Sequence, residues 1–231
     1  MALRAVFLDV GNTLVHERPS RFEIYAGTAR AHGLDVPTER MDALMRAAHR
    51  ELPREIAGAW RYTDRWFERY LERIFCEGLG LQREHLAPLA SELFARFSDP
   101  ATFVLHEGAL ELCEALRAQG LVVGIVSNWS PRLPGLLESL GVSARAHFVL
   151  CSALERAEKP GPEIFRRALE RAGVHPDEAL HAGDDLEKDY HGARRAGLRA
   201  VLVDHARRER TETPRVHSLP ELGLLVERLC A

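Results

Sequence analysis

The sequence predicts an α/β protein, a Rossmann-like parallel sheet with an all-helical cap domain inserted into it. Short apolar runs alternate with segments of helical period along most of the 231 residues, as in parallel sheets whose strands are joined by helical crossovers. One long segment near the start breaks this alternation, because all its periodic stretches are helical. Hydrophobic residues make up 46% of the chain, which is enough to fill the core of such a fold.

The predicted strands are short apolar runs, typical of strands that are buried on both faces of a sheet. They lie at residues 5–9, 121–126, 147–150, 179–182 and 199–203, with a last short strand near residues 215–217. Amphipathic stretches between and after them predict helices at residues 107–119, 133–140, 162–172, 188–196 and 220–229. Most of these stretches are followed by a glycine, the common residue just past a helix C-terminus.

The segment from residue 15 to residue 99 contains no strand-like run. Its periodic stretches, at residues 22–32, 38–50, 63–75 and 83–97, all have helical spacing. They are separated by glycine and proline, which interrupt helices. The sequence therefore predicts a core domain of residues 1–14 and 100–231 and a helical cap domain of residues 15–99.

Charge and composition exclude several classes of protein. Thirty-one basic and 34 acidic residues leave a net charge of −3, so no overall field attracts nucleic acid or an anionic membrane. The short basic stretch at residues 207–210 is expected to be solvated surface. No apolar run approaches the about 18 residues of a membrane span, and the start lacks the pattern of a signal peptide. The four cysteines form no C-x-x-C pair, which predicts buried free thiols. We expect a cytoplasmic protein that binds a small molecule, without nucleic-acid or membrane partners.

Polar side chains follow the predicted strands at the points where ligands bind in an open parallel sheet. Asp9-Val-Gly-Asn-Thr13 follows the first strand, and Ser127-Asn128 follows the second. Lys159 precedes Pro160, which disfavours helix at the lysine and places it on a loop. Gly183-Asp184 follows the fourth strand, and Asp189 lies just beyond it. We expect these groups to converge at one edge of the sheet.

The order and spacing of these groups resemble those of the haloacid dehalogenase superfamily. Its phosphatases carry D-x-D-x-T, a Ser/Thr-Asn pair after the second strand, a Lys-Pro pair and G-D-x(3,4)-D, and the resemblance covers the whole chain, including the helical insertion. It implies that Asp9 is the nucleophile that accepts a phosphoryl group. It also implies phosphate-binding roles for Thr13, Ser127, Asn128 through its backbone, and Lys159, which would neutralise both phosphate and nucleophile. The implied Mg²⁺ ligands are Asp9, Asp184 and the carbonyl of Gly11, with Asp189 supporting them.

Electrostatics agrees with these implied roles. A carboxylate that attacks a phosphate monoester meets like charge, so a divalent cation and an ammonium group are needed to lower the repulsion. Hard oxygen ligands suit Mg²⁺, which takes only one or two carboxylates and keeps several waters.

The chain departs from the family pattern at Gly11. The family's phosphatases have a second Asp at this position, which protonates the leaving alcohol and then activates the water that hydrolyses the aspartyl-phosphate. Loss of a general acid–base group costs about 10²–10⁴ in rate, whereas the backbone carbonyl that meets the metal is retained. His16 and Glu17, just past the loop, are alternative proton donors, although turn and linker roles fit both.

Two alternatives to a phosphatase remain open. In a 2-haloacid dehalogenase the halide departs without a proton, and Arg18 or Arg21 would hold the carboxylate or the halide. Dehalogenases of the superfamily use no metal, however; they usually have an aromatic residue where Gly11 stands, and they lack the Gly-Asp pair. The second alternative is a catalytically weak phosphate-ester binding protein. Phosphonatase chemistry is excluded, because it needs a cap lysine and no lysine occurs in residues 1–158.

The acidic residues of the predicted site decide between these alternatives. Asp9, Asp184, Asp185 and Asp189 would repel one another strongly without a cation, which favours a metal site. The sequence therefore predicts a hydrolase, an Mg²⁺-dependent phosphatase that acts on a small phosphate ester through an aspartyl-phosphate. It makes no prediction for the identity of that ester or for the oligomeric state.

Overall fold

The computed structural model describes residues 2–207 and 212–230. The chain divides into two compact units, one formed by Met1–His16 and Leu105–Ala231 and the other by Glu17–Val104. The sequence prediction placed the domain boundaries after residues 14 and 99. Most of the basic stretch predicted to be solvated surface, at residues 207–210, lies outside the described residues.

The strands of the described residues are numbered in chain order. They are β1 (Ala5–Leu8), β2 (Val15–Glu17), β3 (Glu55–Ile56), β4 (Ala59–Trp60), β5 (Phe103–Leu105), β6 (Val122–Ser127), β7 (Phe148–Cys151), β8 (Ala179–Gly183), β9 (Arg199–Val203) and β10 (Arg215–Val216).

The α-helices are numbered in the same way. They are α1 (Arg21–Ala31), α2 (Thr38–Glu51), α3 (Asp64–Leu71), α4 (Leu86–Ser98), α5 (Ala109–Ala118), α6 (Leu133–Ser139), α7 (Ser152–Glu155), α8 (Pro162–Ala172), α9 (Gly192–Arg195) and α10 (Leu219–Cys230). π-Helical turns at Glu72–Gly78 and Leu186–His191 adjoin α3 and α9, and short 3-10 turns complete the list.

A six-stranded sheet with the order β10-β9-β8-β1-β6-β7 forms the centre of the larger unit. All its neighbouring strands run parallel, which confirms the predicted fold class. β1 lies between β6 and β8, with Leu8 level with Ile125 and Ala182. The carboxyl ends of these three strands are therefore adjacent, at the edge where open α/β sheets bind ligands.

The core of the larger unit surrounds β1. All four side chains of that strand are fully buried, as expected for a central parallel strand covered on both faces. Phe7 of β1 packs in one apolar cluster with Ile164 and Phe165 of α8. The apolar residues of α8 recur at helical spacing and form one buried stripe along the helix, which packs against the sheet. This packing fixes the strand ends that carry the polar side chains.

The smaller unit is mainly helical and has its own apolar core, in which Trp66, Phe75 and Leu89 are fully buried. The prediction that residues 15–99 are all helical is wrong in two details, since β2 opens this segment and pairs with β5, and β3 and β4 form a short antiparallel hairpin. Its two turn residues, Ala57 and Gly58, have φ values of 47° and 81°, as two-residue hairpin turns require. Strands of two residues are too short to give an alternating pattern in the sequence.

The structure bears on the predictions about membrane spans and about the cysteines. No helix of the described residues is long and apolar enough to cross a membrane. All four cysteines are free, and Cys113 and Cys151 are buried. Burial of all four thiols was predicted wrongly, because Cys76 is partly exposed and Cys230 lies exposed on the last helix. Cys230 is the last residue of α10, and Val226 is the last buried residue of that helix, so the thiol lies beyond the part of the helix that packs.

Candidate active site

Asp9 follows β1 directly and is 7% exposed. Its N–H donates to the carbonyl of Ala182 at 3.0 Å, which continues the pairing of β1 with β8. The chain then folds back tightly, because the carbonyl of Val10 accepts hydrogen bonds from the N–H groups of Thr13, Leu14 and Val15 at 2.9–3.2 Å. This turn holds Asp9 at the end of the strand and starts the loop that carries Gly11.

Gly11 forms an isolated bridge with Val15. The two hydrogen bonds of this bridge run from the N–H of Val15 to the carbonyl of Val10 and from the N–H of Asn12 to the carbonyl of Val15. Neither bond uses the carbonyl of Gly11, which the sequence predicted to meet a metal ion. Gly11 is not among the described glycines with a positive φ, so its backbone does not require glycine.

Lys159 lies between two buried carboxylates. Its Nζ is 2.7 Å from Oδ1 of Asp9 and 2.5 Å from Oδ1 of Asp189, and only 2% of the lysine is exposed. Burial by itself lowers the pKa of Lys159, but the negative charges of Asp189 and Asp9 outweigh burial and hold that pKa above its ordinary value. An ammonium group is thereby fixed beside the predicted nucleophile, as the sequence analysis expected.

The backbone of Lys159 is clamped by the side chain of Asn128. The Asn128 Nδ2 donates to the carbonyl of Lys159 at 2.8 Å, and the N–H of Lys159 donates to Oδ1 of Asn128 at 2.8 Å. The side chain of Asn128 thus joins the end of β6 to the lysine loop. Its predicted contact with phosphate, which would use the backbone, stays a prediction.

Ser127 ends β6 and is 1% exposed. Its hydroxyl donates to Oδ1 of Asp9 at 2.8 Å. The hydrogen bonds from Ser127 and Lys159 therefore both reach Oδ1, and no described residue donates to Oδ2 of Asp9. One oxygen of the carboxylate is held in place while the other stays available for chemistry.

Asp9, Asp184 and Asp189 form the acidic cluster of the site. One carboxylate oxygen from each lies within 4.8 Å of the others. Burial, followed by the charges of Asp9 and Asp189, raises the pKa of Asp184 to about 7. Asp189 has the opposite shift: burial raises its pKa, but Lys159 and the hydrogen bond from His181 outweigh burial and hold the pKa well below its usual range.

Asp189 is held by three donors. Its Oδ1 lies 2.9 Å from Nε2 of His181 and close to Lys159, while its Oδ2 accepts the N–H of Asp185 at 3.0 Å. Gly183 makes room for this carboxylate, since a Cβ at position 183 would collide with the side chain of Asp189. Both oxygens of Asp189 are occupied, which fits a supporting role better than direct ligation of a metal.

His181 is a member of the site that the sequence analysis did not identify. It lies within β8, is fully buried, and its Nδ1 has no partner among the described residues. It contacts the ring of Phe165 edge-on, with ring centroids 5.2 Å apart. The only signal was a histidine inside a predicted apolar strand two residues before Gly183, where a buried polar side chain needs a partner.

Thr13 is not joined to the other predicted site residues. Its hydroxyl is buried without a partner in the described part of the chain, and its carbonyl lies 3.0 Å from Nε2 of His205. His205 stacks on His106 with ring centroids 3.9 Å apart, and His106 packs on His16 at 4.6 Å. Burial and the two neighbouring histidines lower the pKa of His106 to about 4. No local pattern indicated this stack of histidines, because its members are far apart in the chain.

Neither alternative proton donor is hydrogen-bonded to Asp9, and the Nδ1 of His16 is buried without a partner among the described residues. Glu17 forms an ion pair with Arg21 at 2.7 Å. That ion pair also engages the guanidinium of Arg21, which the dehalogenase alternative assigned to the substrate. Within the described residues, the groups that meet at Asp9 are therefore Ser127, Lys159 and the acidic cluster.

Comparison with known proteins gives the family. A model of the haloacid dehalogenase-like hydrolases matches residues 3–197. The chain belongs to this family. Haloacid dehalogenase-like hydrolase domain-containing protein 3 of Bos taurus is similar to it, with 32% identity over 99% of this chain and 94% of the relative. These matches confirm the resemblance that the sequence motifs indicated, and they make the chain a hydrolase of the family.

Two further family members differ in their named activities. Phosphoserine phosphatase of Thermus thermophilus is 30% identical over 89% of this chain and 90% of its own length. The structure of L-2-haloacid dehalogenase from Xanthobacter autotrophicus is 22% identical and matches with a TM-score of 0.66, covering 97% of this chain and 98% of that one. At that identity the second match supports the fold alone.

The acidic cluster leads to a stability prediction for the metal-free protein. An unfolded Asp184 titrates near 3.8, and the folded one near 7. The folded state therefore favours the protonated form, so the stability contributed by this group is complete below about pH 4 and is lost as the pH rises through 7. We expect Asp184→Asn to raise the free energy of unfolding at pH 8 by about 1–3 kcal/mol, below the about 4 kcal/mol of the full shift because the side chain is partly exposed.

Urea unfolding in EDTA at pH 8 and pH 5 measures this effect. The gain of Asp184→Asn should shrink toward pH 5, and the exposed Asp177→Asn should change little at either pH. An equal gain at both pH values would contradict the assignment of repulsion to Asp184.

Proposed function

We propose that this hydrolase is an Mg²⁺-dependent phosphatase that acts on a small phosphate ester through an aspartyl-phosphate on Asp9. The observation that carries this proposal is the buried Lys159 ammonium, 2.7 Å from Asp9, beside the acidic cluster. Displacement of a halide involves no phosphoryl dianion, so it needs no cation to neutralise one. Attack on a phosphate monoester needs such a cation. The similar protein from Thermus thermophilus that is named a phosphoserine phosphatase supports the same choice.

The donor set fits Mg²⁺. Three carboxylates lie together, and the pKa of Asp184 is raised by burial and by the charge of Asp9, a cost that a bound cation would relieve. Asp9, Asp184 and the Gly11 carbonyl would hold the ion, while Asp189, whose oxygens already accept hydrogen bonds, would support the shell. When bound, Mg²⁺ would lower the repulsion between the phosphate and the attacking carboxylate.

The side chains around Asp9 have defined roles in this proposal. An oxygen of Asp9 attacks the phosphorus atom, the bond from phosphorus to the leaving oxygen breaks, and the phosphoryl group is transferred to Asp9. Ser127 exchanges its hydrogen bond to Asp9 for one to a phosphoryl oxygen. Lys159 stays protonated and stabilises negative charge in the transition state. The clamp from Asn128 keeps Lys159 in position, so little reorganisation is needed during the reaction.

The proposal also covers the cellular location of the protein and the type of molecule that it binds. The small net charge of −3 and the free thiols support a cytoplasmic protein with a small-molecule substrate. Neither a nucleic acid nor a membrane is proposed as a partner.

A turnover assay tests the proposed function. We expect release of nitrophenol from 4-nitrophenyl phosphate with Mg²⁺ and none with EDTA, and we expect Asp9→Asn to lower the rate by about 10⁴-fold or more, since it removes the nucleophile. The exposed Asp177→Asn serves as the matched control and should retain wild-type turnover. Metal-independent chloride release from 2-chloropropionate would identify a dehalogenase instead. A folded protein with neither activity would be a phosphate-ester binder.

A further inference from the structure

The groups around Asp9 offer little for proton transfer. Lys159 has no acceptor lone pair while it is an ammonium ion, and its Nζ already donates to Asp9 and Asp189. Both oxygens of Asp189 accept hydrogen bonds, and this side chain is 1% exposed. Asp184 is assigned to the metal. Each titratable group in the cluster thus has a role that keeps it from exchanging a proton with substrate or water.

The neighbouring histidines do not fill this gap. His181 is fully buried behind Asp189 and faces that carboxylate rather than Asp9. His205 is occupied by the carbonyl of Thr13, and its ring lies against His106. No hydrogen bond in the described part of the chain connects either ring, or His16, to Asp9. At Gly11, where a carboxylate would be within reach of the leaving group in the family pattern, there is no side chain.

We propose that the phosphorylated form of Asp9 accumulates during turnover, and that the substrates are phosphate esters or anhydrides whose leaving group departs as a stable anion, such as aryl and acyl phosphates. This inference rests on the proposed phosphatase function and concerns which of its two steps is slow. The two steps place different demands on the missing proton-transfer group.

In the first step, the bond between Asp9 and phosphorus forms as the bond to the leaving oxygen breaks. An aryloxide or carboxylate takes that electron pair and needs no proton, whereas an alkoxide needs one. In the second step, water attacks phosphorus, the bond to the Asp9 oxygen breaks and returns its electron pair to the Asp9 carboxylate, and the proton of the attacking water passes to a phosphate oxygen or to solvent when no side chain takes it. The first step therefore proceeds without an acid for these leaving groups, but the second lacks a base for every substrate.

Burial strengthens this asymmetry. Asp9 is 7% exposed, and Ser127 and Lys159, which approach it, are 1% and 2% exposed. An aspartyl-phosphate there is shielded from bulk water and stabilised by the Lys159 ammonium. The same contacts that promote its formation slow its hydrolysis.

Quench-flow kinetics with the full chain, Mg²⁺ and 4-nitrophenyl phosphate test this inference. We expect a burst of nitrophenol stoichiometric with the protein, followed by a slower steady phase, and intact-protein mass spectrometry should show one added phosphoryl group that hydroxylamine removes. Phenyl phosphate should give a slower burst but the same steady rate, since hydrolysis of the common intermediate limits both.

Two substitutions at position 11 separate proton transfer from shape. Gly11→Asp supplies a carboxylate and should abolish the burst by speeding hydrolysis. Gly11→Asn has nearly the same shape as Gly11→Asp but cannot accept the proton, so its burst and its added mass should exceed those of Gly11→Asp. Thermal melts of both variants establish that they are folded. A wild-type protein that turns over with Mg²⁺ but shows neither burst nor added mass overturns this inference and leaves the phosphatase function standing. Absence of Mg²⁺-dependent turnover and of added mass in wild type and Gly11→Asp overturns both.

Discussion

Replacing Lys159 by methionine is expected to lower the free energy of unfolding by about 3–5 kcal/mol, because it leaves two buried carboxylates without their cation. Asp9 and Asp189 both lie within 2.7 Å of the Lys159 Nζ, and all three side chains are at least nine-tenths buried. Phosphatase turnover should fall with it by about 10²–10³-fold or more, as expected when a charged group that stabilises the transition state is removed. Urea unfolding and steady-state kinetics at saturating Mg²⁺ measure the two effects.

The only other lysine of the chain provides the control. Lys188 pairs with Asp185 at 2.6 Å, but its side chain is 40% exposed, so Lys188→Met should cost less than about 1 kcal/mol. If Lys159→Met does not fold, the double variant Lys159→Met/Asp189→Asn removes one of the uncompensated charges and should recover part of the stability. Equal effects of the two single lysine substitutions would contradict a special role for Lys159.

Gly11→Asp is expected to raise turnover of alkyl phosphates by about 10²–10⁴-fold, the usual contribution of a positioned general acid–base group. An alkyl leaving group needs a proton in the first step, and water must lose one in the second. For 4-nitrophenyl phosphate the gain in kcat/KM should be small, because its first step needs no acid, whereas kcat should rise because the slow second step gains a base. Values of kcat and kcat/KM for both substrate types measure the difference, since kcat/KM reports the first step and kcat the slow one.

The matched variant for this prediction is Gly11→Asn, which has nearly the same shape and cannot transfer the proton. Its turnover of alkyl phosphates should stay at least about tenfold below that of Gly11→Asp, because it makes the same change of shape in the loop of the predicted metal site without supplying a proton-transfer group. An equal gain from Asn and Asp would mean that the side chain acts by ordering the loop. No gain from Asp would mean that another group already transfers the proton.

The sheet was predictable because its signal is local. A central parallel strand is buried on both faces, so β1 and β6 read as continuous apolar runs, and the polar residue after each run marks the strand end. The six predicted strands lie within one residue of the observed ones at each end, and for β1 the difference is Asp9, which the prediction included. Parallel strand order then places Asp9, Ser127 and Asp184 at one edge without knowledge of any contact.

Contacts that depend on packing were not predictable in this way. The role of His181 depends on the π-helical turn Leu186–His191, which brings Asp189 back to β8, and the predicted helix at residues 188–196 began two residues too late to show it. Likewise, no pattern in the sequence indicated that the side chain of Asn128 holds the backbone of Lys159, while the phosphate contact predicted for the Asn128 backbone stays a prediction. An amide that bridges two loops leaves no periodic trace in a single sequence.

The close packing of Gly183 against Asp189 constrains the order in which substitutions at these two positions can accumulate during evolution. A side chain at position 183 collides with the Asp189 carboxylate, so Gly183→Ala is harmful while Asp189 is present. Once Asp189 is replaced by Gly, the same substitution has room, whereas Ala at position 189 would keep a Cβ 2.8 Å from the new one. The two positions are therefore epistatic, and a descendant that has abandoned catalysis is expected to lose the carboxylate first and acquire a larger residue at 183 only afterwards.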